Sequence, residues 1–68
     1  MMNPIMQTEL DECMALCSRL EDLLLRDMEE IPQCLTGELC DTYTDATEAV
    51  LGTVAQMKRN LMVLHSSL

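Results

Sequence analysis

Met6, Leu10, Cys13, Cys17, Leu20 and Leu24 succeed one another at spacings of four, three, four, three and four. That is the a/d rhythm of a helix packed along another helix, and it predicts helix 1 over about 4–31. Asn3 stands before Pro4 as a ready N-cap, and a proline at the first helical position loses no bond. Thr8 offers a second start if the first turn frays. Ile31 precedes Pro32, and a residue before proline is pushed out of the helical region, so helix 1 is expected to stop there. Pro32 to Gly37 then reads as a turn, over about 32–37. A second series, Leu39, Tyr43, Ala46, Val50, Thr53, Met57, Leu61, Leu64 and Leu68, keeps much the same rhythm and predicts helix 2 over about 38–66. Glu38, Asp41, Asp45 and Glu48 crowd its start, while Lys58, Arg59 and His65 lie toward its end. That order suits the helix macrodipole.

Two long helices joined by a short connection make an antiparallel hairpin. The expected fold is therefore all-α, a single coiled-coil-like domain spanning the whole chain. Gly52 falls inside helix 2 and costs about 1 kcal/mol against alanine. It is either a tolerated weak spot or a place where another helix comes close.

Set at about 100° intervals, the apolar residues cover more of each helix than one partner can hide. On helix 1, Leu16 and Leu23 widen the seam on one flank and Met14 and Leu25 on the other, to an arc of roughly 200°. On helix 2, Leu51, Ala55 and Met62 form a second stripe roughly 100° or more from the main seam. A lone hairpin has one helix–helix contact, so completion to a bundle by a second copy or by a partner protein is expected. Met14, Leu16, Leu23, Leu25, Leu51 and Met62 are the candidate partner-binding residues.

Composition narrows the function classes. The 68 residues include 12 acidic and 4 basic side chains, a net charge of −8, with 49% apolar content. That is room for one small domain with a folded core. Lys58-Arg59 is the one basic cluster and Tyr43 the one aromatic residue. Phosphate neutralisation and base stacking both lack their side chains, which argues against nucleic acid. An anionic membrane surface would repel the chain. The longest aliphatic run, Leu61 to Leu64, falls far short of the roughly 20 residues of a membrane span. Met1 to Thr8 shows neither the basic side chain nor the apolar run of a secretory signal.

Four cysteines first suggest disulfides. Cys13 and Cys17 lie one turn apart on the same face, a poor geometry for bridging each other. In a hairpin centred near Thr36 they should lie opposite Lys58 and Ala55, out of reach of Cys34 and Cys40. Those last two could bracket the turn. Zinc wants four convergent ligands, and His65 belongs at the open end of the hairpin, so no metal and no other cofactor is expected. Reduced, mostly buried thiols acting as small apolar groups fit best, which implies a reducing, cytoplasmic setting. His65 has no nucleophile or carboxylate at a recognisable spacing. Glu21-Asp22 and Glu29-Glu30 are adjacent pairs that diverge on a helix. No catalytic residue is identified, and the chain is not expected to be an enzyme.

Surplus apolar surface on a small acidic hairpin points to protein–protein binding. The expected roles are chaperone or cochaperone, adaptor, or stoichiometric inhibitor of a larger partner, through helix-in-groove or bundle packing. Methionines such as Met14 and Met62 suit surfaces that adapt to a partner. In size, acidity and expected shape the chain resembles the small cochaperones of bacterial type III secretion, over its whole length and without a shared motif. That resemblance implies a hairpin that holds an aggregation-prone export subunit. Two other readings stay open. One is a self-sufficient homodimeric four-helix bundle with a regulatory role. The other is an acidic rod that binds a basic protein by imitating spaced phosphates, through Glu9, Asp11, Glu12, Glu21, Asp22, Glu29 and Glu30.

Overall fold

The computed structural model describes residues 3–68; Met1 and Met2 lie outside them. The described residues form α1 (Pro4–Cys34) and α2 (Gly37–Ser67), with no strand among them. The two helices pack against each other as an antiparallel hairpin. α1 starts where the sequence places it. Asn3 is extended at φ −113° and ψ 99°, and its Oδ1 accepts from the N–H of Met6 at 3.1 Å. Thr8 is inside the helix, its hydroxyl donating to the carbonyl of Pro4 at 2.8 Å.

The far end of α1 differs from expectation. The helix does not stop at Ile31 but passes through Pro32 and ends at Cys34. A proline in the last turn removes one helical N–H, the one that would reach the carbonyl of Met28, and its ring crowds only the single turn before it. The Gln33 side chain donates to the carbonyl of Glu29 at 3.2 Å, and the Leu35 N–H to the carbonyl of Ile31 at 2.8 Å. Ile31 itself is buried at 8% exposure. Packing of that side chain outweighs its local preference for extended backbone.

The connection is thereby shortened to Leu35 and Thr36, both extended, with φ −126° and −131°. Thr36 makes no side-chain cap on α2, and the chain turns into the helix through Gly37 at φ +64°. Two extended residues carry the start of α2 up to about 7 Å beyond the end of α1. The helices are consequently staggered. A helix of 31 residues is about 46 Å long, whereas the hairpin extends 54 Å.

Stagger shifts the register. Lys58, expected opposite Cys13, reaches Glu21 instead, with Nζ 3.3 Å from Oε1. His65 Nε2 lies 3.0 Å from Asp11 Oδ1 near the open end. The shielded positions on α1 are Gln7, Leu10, Met14, Cys17, Ser18, Glu21, Leu24, Met28 and Ile31. On α2 and its C-cap they are Cys40, Thr44, Thr47, Leu51, Val54, Ala55, Lys58, Leu61, His65 and Leu68. Apart from Ser18 and Ala55, each next to a buried residue, both sets alternate by threes and fours. Yet over most of α2 each is the expected seam position advanced by one residue, a rotation of about 100°. On α1 Gln7, Met14 and Glu21 replace Met6, Cys13 and Leu20, whereas Leu10, Cys17 and Leu24 stay. The advanced set is the one that brings Lys58 to Glu21 and His65 to Asp11. Its buried centre is small: Cys17, Ile31 and Val54.

A Cβ at either glycine meets nothing within 4 Å, so only backbone preference decides the effect of alanine. Gly37→Ala should cost about 1–2 kcal/mol because it forces a left-handed alanine, while Gly52→Ala should gain up to about 1 kcal/mol. Urea unfolding of both variants measures the two signs. Lys58→Glu should cost about 1 kcal/mol and Glu21→Lys in the same chain should restore most of it, read as midpoint shifts.

Candidate docking face

The rotation of the seam leaves a second stripe of large apolar side chains on each helix outside the helix–helix contact. On α2 these are Leu39, Tyr43, Val50, Met57 and Leu64, each between 45% and 54% exposed. Their spacings of four, seven, seven and seven keep them on one side of the helix along its whole length. On α1 the corresponding stripe is Met6, Cys13 and Leu20 at intervals of seven, flanked by Leu16 and Leu23. Both stripes reach the same broad side of the hairpin. Cys13, Leu16, Cys17 and Leu20 form one wall of a groove of about 500 Å³, and Met57, Asn60, Leu61 and Leu64 form the other. Asn60 is the single polar side chain lining it.

Toward the connection the same side holds a second hollow of about 260 Å³, lined by Asp27, Glu30, Ile31, Cys34, Leu35, Tyr43 and Thr47. Here a carboxylate-bearing wall of α1 faces the ring of Tyr43. The apolar side thus runs from an uncharged groove at one end to an acid-edged hollow at the other.

The six residues singled out from the sequence divide three ways. Leu16 lines the groove at 68% exposure, and Leu23 lies seven residues on, exposed on the same side. Met14 and Leu51 are half-buried members of the shielded faces. Leu25 and Met62 are exposed, but by helical spacing they stand on the opposite broad side. Leu20, Met57 and Leu64, which the sequence reading assigned to the inner seam, are the exposed walls of the groove. The signal that identifies them is charge: turning Glu21 and Lys58 inward to meet necessarily turns Leu20 and Met57, their preceding neighbours, toward the groove.

No disulfide joins the cysteines. Cys17 is buried, Cys40 half-buried, and Cys13 and Cys34 are exposed. Among the described residues no three His, Cys, Asp or Glu side chains converge so as to hold a metal ion. No described helix is long and apolar enough to cross a membrane. Of the carboxylates considered as phosphate imitators, Glu21 is half-buried and engaged with Lys58, and Asp11 adjoins His65.

Comparison with protein families, curated proteins and solved structures yields no match.

An open groove with apolar walls should bind an environment-sensitive dye. Leu20→Glu with Met57→Glu should abolish most of that fluorescence while shifting stability by no more than about 0.5 kcal/mol. Dye titration and far-UV circular dichroism of the two chains read both outcomes.

Proposed function

We propose that this protein works by binding another protein on its apolar side, shielding that partner as a chaperone or cochaperone, linking it as an adaptor, or blocking it as a stoichiometric inhibitor. One observation carries the reading: a heptad-spaced apolar stripe stays exposed along the whole of α2, beside a groove whose second wall is equally apolar. Contiguous apolar surface of that kind, edged by charge, is characteristic of an interaction site. A partner helix laid in the groove with anchors at i, i+3, i+4 and i+7 would cover both walls. The reading includes a reducing, cytoplasmic setting, because Cys13 and Cys17 share one helix and have no facing pair on α2 with which to bridge.

A second reading has its own support. The exposed stripes of both helices repeat at seven residues, as two hairpins would need to close a homodimeric four-helix bundle.

Light scattering and calorimetry on the isolated chain separate the two. Partner binding predicts a monomer with a broad, low-temperature transition, sharpened and raised by the partner through mass action. A mass that doubles with concentration and a sharp melt, both lost in Leu20→Glu, would favour the bundle. A monomer that melts cooperatively at high temperature unaided would count against any need for a partner.

A further inference from the structure

Sulfur is concentrated in the groove. Cys13 and Cys17 stand on its α1 wall and Met57 on its α2 wall, three of the eight residues that line it. Cys13 and Cys17 are one helical turn apart, which sets their Cβ atoms about 5–6 Å from each other. Both border the same hollow, so a choice of side-chain rotamer can turn the two thiols toward one point between them without moving the backbone. Cys17 is 7% exposed, and its thiol has no hydrogen-bond partner among the described residues. Cys13 is exposed and gives the pair access to solvent. No carboxylate or imidazole lines the groove, whose one oxygen-bearing side chain is Asn60. Cys34 and Cys40 do not line it.

We infer that Cys13 and Cys17 form a two-thiolate site for a soft monovalent cation, Cu(I). The inference concerns the same groove but does not depend on the docking role. Donor type decides the ion. Thiolate and thioether sulfur select Cu(I), which accepts as few as two thiolates in a near-linear arrangement. Zinc requires four donors, and among the described residues no third His, Cys, Asp or Glu joins the pair. Calcium and magnesium require oxygen ligands that these walls lack. Met57 faces the pair across the groove and adds a thioether to its soft surroundings. Each thiol gives up its proton to solvent as its Cu–S bond forms, and copper stays at +1 throughout, so no electrons are exchanged. The loaded site brings charge into an apolar groove, which then becomes a poor place for an apolar dye.

The full chain, kept reduced without added thiols and under nitrogen, is titrated with Cu(I) in competition with the chromophoric chelator bicinchoninate. Loading should reach about one ion per chain and release about two protons per ion. Cys13→Ser and Cys17→Ser should each weaken binding by roughly a hundredfold or more, because either removes half of the thiolate set. Cys34→Ser with Cys40→Ser in one chain should bind as the parent does. Cys13 is exposed, so its serine variant keeps the test decisive if the Cys17 variant unfolds, and circular dichroism reads helicity in each. Loading should also expel an apolar dye from the groove. Unchanged affinity in Cys13→Ser, an equal loss in the Cys34 and Cys40 variant, or a preference for Zn(II) over Cu(I) would overturn the site. Dye retained after loading would place the ion outside the groove and overturn it too. A mass that doubles only on loading, read by light scattering, would mean that two chains share the ion through Cys13, and the pair would again be overturned.

Discussion

Lys58 and Glu21 approach to 3.3 Å across the two helices, in the middle of a contact face that buries only three side chains. An ion pair this exposed contributes little free energy. Its weight lies in selection. Two helices with apolar residues over a broad arc can pack in several rotations of similar apolar burial, and a modest preference decides among them. With Glu21 and Lys58 inward, and Asp11 meeting His65 at the open end, one rotation and one stagger satisfy both pairs. The position of every other side chain follows.

The hairpin itself was legible in the sequence. Four-three spacing located both helices, Asn3-Pro4 marked the first start, and the short connection implied antiparallel packing. Two features were not legible. Pro32 read as a stop because local preference was weighed alone, whereas Ile31 gains more from burial than its backbone loses by remaining helical. The inner seam was chosen by counting apolar residues, which places Leu20 and Met57 inside; a mixed seam with Glu21 and Lys58 has fewer apolar members but pairs its charges. Single-helix periodicity cannot see that choice, because the deciding interaction joins residues on different helices.

The candidate site inherits the same limitation. Leu16 and Leu23 were identified because they flank either choice of seam on the same edge. Met14 and Leu51 moved to the shielded faces, and Leu25 and Met62 to the other broad side, once the rotation was set. What results is a division of labour along each helix. Leu10, Leu24, Leu51 and Leu61 pack around Cys17, Ile31 and Val54 to hold the hairpin together, while other large aliphatic side chains such as Leu39, Val50 and Leu64 stay exposed. A protein that spent its best apolar residues on its own interior would have a deeper core and no adhesive side.

The stagger has one further consequence, which concerns direction. Because the helices are offset, the 54 Å rod has two unlike tips: Ile5 and Met6 project where α2 has already ended, and Leu39 projects where α1 has. Each tip is a single helix with one apolar residue or two, and neither can be mistaken for the other by something lying along the rod. A flush hairpin would offer an approximately symmetrical track on which a bound helix could slide by a heptad at small cost. On the proposed docking role, a helix laid along this offset rod would, on slipping by one heptad, leave one tip and overhang the other, so the offset would distinguish neighbouring registers.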